Sequence, residues 1–218
     1  MEKESAKSVN VPVVTDIQQS EDYKTRITIC DGLIAISPDD EANYFIRASL
    51  EYHSGDMAGA MADYNTGIAL NPGNPKALNN RGLIRARMFD YRGAIADYKL
   101  AIAIDPLIAA IYYNSGVSKL ASGDYQGAID DNSTAIGLNP AFAEAYTNKG
   151  VGKYQMGNFQ GALSEFNKSI EIDPGYGKAY FGRGVIKVAL GKKKAGCVDM
   201  DKAGELGYNE MYLIYAGG

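Results

Sequence analysis

Five prolines stand at equal intervals along this chain: Pro38, Pro72, Pro106, Pro140 and Pro174, each 34 residues after the last. A period of this size constrains the fold more than composition does. A unit so short cannot bury an apolar face alone and must stack on its neighbours. Each proline follows Ser, Asn or Asp, and the residue before proline is pushed out of the α region, so a helix ends there. With proline set at position 32, full units run 41–74, 75–108, 109–142, 143–176 and 177–210, and other columns fall into register. Position 4 holds Tyr44, Leu78, Tyr112, Tyr146 and Tyr180. Position 8 holds Ala48, Gly82, Gly116, Gly150 and Gly184, and position 20 holds Ala60, Ala94, Ala128, Ala162 and Gly196.

Inside a unit the apolar spacing is helical. Ala128, Ile129, Ala135 and Ile136 mark one face of a helix. Ser122-Gly123-Asp124 separates it from an earlier helix running from about Ala110 to Ala121. Glycine there takes the positive φ that a helix C-terminus favours, and the following Asp caps the next N-terminus. Each unit therefore reads as helix A, tight turn, helix B and short connector. Small residues at positions 8 and 20 let the two backbones approach, and aromatics at position 24 (Tyr64, Tyr98, Phe166) fill the space beside them. Glycine within helix A costs roughly 0.5–1 kcal/mol against alanine, so its recurrence implies a packing requirement. Asn132 interrupts the aromatic column, which makes it either a buried amide in need of a partner or a soft spot.

The 34-residue helix–turn–helix unit, with its small residue at position 8, Ala at 20 and Pro at 32, resembles the tetratricopeptide repeat family. The strings Asn80-Arg81-Gly82, Gly123-Asp124-Tyr125-Gln126-Gly127-Ala128-Ile129 and Ile104-Asp105-Pro106 are similar to a common bacterial subtype. The resemblance covers about residues 21–210. It implies an all-α, right-handed superhelical solenoid of stacked antiparallel helix pairs. The expected organisation is a flexible or diverged segment at 1–20, a helix B half-unit at 21–40, four full units over 41–176, a degenerate fifth at 177–210 and a C-terminal cap at 211–218. The cap expectation rests on the apolar run Met211-Tyr212-Leu213-Ile214-Tyr215, read as a closing helix over the last unit.

The same resemblance implies which helix A positions face the hollow of the spiral: 2, 5, 6, 9, 12 and 13. Position 6 gives Asn80, Asn114 and Asn148 in successive units. Each amide carries donors and an acceptor, so a ladder of them suits the backbone of an extended peptide whatever its side chains; the family uses asparagine in this way. Around the ladder lie Phe45, Lys76, Asn79, Tyr113, Val117, Val151, Lys178 and Phe181. These form the expected partner-binding groove, while position 12, with Tyr154 and Val188, reads equally as packing between helices. The five-position carboxylate clamp of chaperone-tail binders keeps only its Asn here, since position 5 holds Phe45, Asn79, Tyr113, Thr147 and Phe181.

A second set of columns reads as structural. Position 7 holds Arg47, Arg81, Ser115, Lys149 and Arg183, and position 11 holds Glu51, Arg85, Lys119, Lys153 and Lys187. Position 23, on helix B, holds Asp63, Asp97, Asp131, Glu165 and Asp199. Positions 7 and 11 share a helix face, so a row of cations meeting a row of carboxylates is expected to pair along the stack.

The remaining chemistry is sparse. A net charge of -4 and a pI near 5.1 argue against nucleic acid, and no run of eighteen apolar residues exists to cross a membrane. One histidine, His53, and two distant cysteines, Cys30 and Cys197, leave no basis for a metal site, a disulfide or a catalytic set. Gly150-Val151-Gly152 and Gly182-Arg183-Gly184 sit within helices and are not dinucleotide loops. The reading is a non-enzymatic module that holds a peptide or partner helix in its groove, as a monomer or weak homo-oligomer, with no cofactor. The alternative is a self-assembling structural repeat protein. A start without a charged-then-apolar leader, and few thiols, suggest the cytoplasm; export after removal of a leader is the alternative.

Overall fold

A computed structural model of the chain describes residues 17–208, and among these it forms eleven helices joined by turns, with no strand. Two compact units divide between Thr66 and Gly67. The first holds α1 (Ile17–Ile36), α2 (Glu41–Ser54) and most of α3 (Met57–Leu70). The second holds α4 (Pro75–Arg87), α5 (Tyr91–Ile104), α6 (Ala109–Ser122), α7 (Tyr125–Leu138), α8 (Ala143–Gln155), α9 (Phe159–Ile172), α10 (Gly177–Ala189) and α11 (Lys193–Glu205). Helix α1 takes in residues 17–20 of the segment set apart by the sequence reading; the rest of that segment and the apolar run after Glu210 lie outside the described residues.

In the first unit α1 packs on α2, and Ala48 and Leu50 of α2 and Ala60 and Tyr64 of α3 are buried. In the second unit each helix from α4 to α11 packs on the next, and the first helices of neighbouring hairpins touch as well, α4 on α6, α6 on α8 and α8 on α10. This is an all-α repeat stack, and its regularity has local causes. The N–H of position 16 donates to the carbonyl of position 11 in all five hairpins, at 2.8–2.9 Å. Closing that loop needs a left-handed residue at position 15. Gly55, Gly123, Gly157 and Gly191 supply it with φ between 77° and 95°, but the α4–α5 turn uses Phe89 at φ 63°, with its ring 78% exposed. The residue after the turn then caps helix B: Asp56, Asp90, Asp124 and Asn158 each accept from the N–H three residues on, at 2.9 Å. The residue before proline is extended, as at Asp105 (φ -136°, ψ 100°). Its side chain accepts from the N–H two residues on in Asn71, Asp105, Asn139 and Asp173, which explains Asn and Asp in that column.

Close helix approach at position 8 is real. A methyl group on Gly82 would sit 2.6 Å from the Tyr98 ring, and one on Gly184 would sit 2.9 Å from the Gly196 carbonyl oxygen. Across from Gly116 the aromatic is replaced by Asn132, fully buried, whose Nδ2 donates to the Ala128 carbonyl at 2.8 Å while its Oδ1 has no partner. The first outcome expected of Asn132 holds: it is a buried amide, and only half satisfied.

The cation and carboxylate columns pair within hairpins. Arg81 donates two bonds to Asp97, at 2.9 and 2.6 Å, and Arg85 adds a third contact at 2.8 Å; the Asp97 side chain is 1% exposed. Lys119 pairs with Asp131, Lys149 and Lys153 with Glu165, and Arg183 and Lys187 with Asp199. Arginine at position 7 also reaches back to the preceding helix B: Arg47 to Asp31 and Arg183 to Asn167. Desolvation offsets much of the attraction in half-buried pairs of this kind, so they add little net stability although losing one partner is costly.

Candidate functional site

The contacts of α4 with α6, α6 with α8 and α8 with α10 lay the first helices of the second unit side by side in one layer. Its amides are not presented alike. Asn114 Nδ2 donates to Asn79 Oδ1 across the α4–α6 junction at 2.9 Å, and Asn79 Nδ2 donates to Asn80 Oδ1 at 3.3 Å. These three half-buried amides form one linked row. Asn148, in contrast, is 1% exposed; its Oδ1 accepts from Lys178 Nζ at 3.4 Å, and its buried Nδ2 makes no bond of good geometry.

Beside Asn148 the face turns aromatic. The Tyr113 ring stacks on Phe142 with centroids 4.8 Å apart, and Phe181 lies 5.5 Å from Tyr208. Burial pushes the Tyr113 phenol up; the Asn148 amide, placed to donate toward it, pulls the other way, and Glu144 adds to the rise. Burial also raises Tyr176, with Tyr113, Glu144, Tyr208 and Asp173 contributing. Val117 stays 39% exposed. Lys76 is exposed at the α4 end, whereas Val151 turns inward against Ala162, Phe166 and Ile186. Position 12 is packing: Tyr154 joins that same cluster, and Val188 lies against Gly196 of its own hairpin. Phe45 belongs to the first unit, where its ring stacks on Tyr64 at 6.1 Å.

The sequence reading missed Phe142 and Tyr176, which sit at position 34, the N-cap of the next helix A. Asn74 fills that role normally on α4, accepting from the Ala77 N–H at 3.1 Å. Ile108, Phe142 and Tyr176 offer no side-chain cap to α6, α8 and α10. An omitted cap costs about 1 kcal/mol, and these three positions carry apolar or aromatic side chains in its place. The signal was visible as an apolar residue where a helix start prefers Ser, Asn or Asp.

Other candidates resolve as structural. His53 Nδ1 lies 2.6 Å from the Ser49 carbonyl oxygen, and its ring packs with Tyr23 and Tyr52. Cys30 is buried, its thiol pushed up by that burial, and Cys197 is exposed; neither is bonded. Among the described residues no group of three His, Cys, Asp or Glu side chains is arranged to hold a metal ion, and no helix is long and apolar enough to cross a membrane.

Comparison with known proteins agrees with the repeat fold. The tetratricopeptide repeat model matches residues 79–143 and 113–177. No curated protein matches the sequence. Among solved structures, one of MamA is 27% identical, covering 75% of this chain and 96% of its own, with a TM-score of 0.67. YrrB, described as a TPR protein with an unusual peptide-binding site, is 21% identical over 86% of this chain and 96% of its own, with a TM-score of 0.69. A tetratricopeptide repeat protein from Parabacteroides merdae is 22% identical over 89% of this chain and 76% of its own, with a TM-score of 0.65.

Proposed function

We propose that this chain, whose residues 79–143 and 113–177 match the tetratricopeptide repeat model, is a non-enzymatic interaction module holding an extended peptide segment of a partner protein along the α4, α6, α8 and α10 face. The observation that carries this reading is the hydrogen bond from Asn114 to Asn79, which links the amides of adjacent hairpins into a row with Val117 exposed beside it. Amides in a row match the alternating donors and acceptors of a peptide backbone, so affinity comes from the main chain and selectivity from flanking pockets. Tyr113, Phe142 and Phe181 supply those apolar pockets, and Lys76 and Lys178 bias them toward segments without a basic excess. A prefolded stack carries little ordering cost on the protein side.

The peptide-binding description of YrrB offers a precedent in kind. The module acts as a monomer or weak homo-oligomer, and its two free thiols suit a cytoplasmic setting. The test is selection of peptides from a display library on the full chain, followed by titration against variants. Selected peptides lose affinity at least tenfold to Val117→Arg and to Asn114→Ala, and keep it with the distant Leu100→Ala. Peptides indifferent to both groove changes would move the site elsewhere.

A further inference from the structure

Four hairpins carry a cation at position 11, and each faces the position-23 carboxylate of its own helix B: Arg85–Asp97 at 2.8 Å, Lys119–Asp131 at 2.6 Å, Lys153–Glu165 at 2.5 Å and Lys187–Asp199 at 2.7 Å. The α2–α3 hairpin carries Glu51 there instead, facing Asp63. One cation serves the whole cluster. Arg47 gives Nε and Nη2 to Asp63, at 2.6 and 2.7 Å, and Nη1 to Asp31 of α1, at 2.6 Å. Its fork is therefore committed, and Glu51 Oε2 is buried with no hydrogen-bond partner. The groups that face Glu51 are Asp63 on α3, Arg47 on its own helix and Asp56 in the intervening turn, with Gly59 of α3 packed against its carboxyl carbon. A carboxyl buried beside a carboxylate that already holds the local cation resists ionisation.

We propose that the α2–α3 hairpin is fastened by a proton: a proton held on the Glu51 carboxyl stands in for the missing cation, and its release to solvent as the pH rises loosens this hairpin while the α4–α11 hairpins stay closed. The direction follows from linkage. Burial first, and the Asp63 charge second, raise Glu51 to about 7. A carboxyl whose folded value lies above its unfolded one stabilises the fold fully below the ordinary carboxylate range, and that stabilisation is lost as pH rises through about 7. The closed hairpin binds this proton more tightly than the open one does. Every tenfold difference in that affinity makes opening about tenfold easier once the proton has left, less here because the side chain is partly solvated.

The test is peptide-resolved hydrogen exchange on the full chain across this range, corrected for intrinsic rates. Protection of α2 and α3 falls by about tenfold from mildly acidic to mildly alkaline pH, while α8 and α9 hold steady. Glu51→Gln removes the step by removing the titrating group. Glu51→Lys, which installs the cation the other hairpins use, gives protection that is high and flat. A flat wild-type profile overturns the proposal. So does a step that persists in Glu51→Gln, since it then belongs to another group of this unit.

Discussion

Replacing Gly184 with alanine sets two opposed effects of known size against each other. Alanine in the interior of α10 gains about 0.5–1 kcal/mol of helix propensity over glycine. Its methyl group, however, would lie 2.9 Å from the Gly196 carbonyl oxygen, 3.0 Å from Met200 Cγ and 3.3 Å from Asp199 Cβ. The nearest of these is backbone, so α10 and α11 must separate, and overpacking of this kind costs about 1–3 kcal/mol. Separation also stretches the Arg183 and Lys187 contacts with Asp199, which bridge the same two helices. The expected net loss is about 1–2 kcal/mol, or roughly 2–8 °C in melting temperature for a chain of this length. Gly137, near the end of α7, is the control, because a methyl group there meets nothing within 4 Å; Gly137→Ala gains up to about 1 kcal/mol. Urea titrations followed by far-ultraviolet circular dichroism compare the midpoints. A Gly184→Ala variant as stable as the parent would refute the claim that glycine sets the distance between these helices.

Three further expectations are simpler. Arg81→Ala leaves the buried Asp97 with Arg85 alone and lowers stability by about 2–3 kcal/mol; peptide affinity is unchanged in the same preparation. Phe89→Gly relieves the left-handed strain at φ 63° and raises stability by about 1 kcal/mol, which a higher urea midpoint would register. For Asp199, burial pushes the carboxyl up, but hydrogen bonds from Arg183 and Lys187 outweigh it and the net shift is downward. The stability it contributes is thus present above the ordinary carboxylate range and is lost as pH falls through the depressed value; Asp199→Asn weakens the acid limb of the α10–α11 exchange profile, and an unchanged limb would contradict this.

The helix boundaries were legible because their causes act over one to four residues. Asp124 caps the helix that follows it, Gly123 closes the turn before it and Pro140 ends the helix beyond, and each signal is complete within its own segment. Ion pairing was legible for a related reason. Arg81 and Asp97 stand sixteen residues apart in the same hairpin, so repetition of the columns in other units announced the pairing. Phe89 shows where such reasoning stops, since its backbone conformation is dictated by the loop the neighbouring helices need, against the residue's own preference.

The candidate face divides along the same line. That Asn80, Asn114 and Asn148 share a helical position is a property of the period, and the chain alone determines it. Whether each amide meets solvent is decided by residues about one repeat away, Asn79 for Asn114 and Lys178 for Asn148, whose approach depends on how far apart the helices settle. Glu51 is the same case in charge rather than in exposure. Its identity is written in the sequence, but its affinity for a proton comes from the dryness of its surroundings and then from a carboxylate on another helix. Burial and electrostatic fields are sums over neighbours in space, and only the packed chain chooses those neighbours.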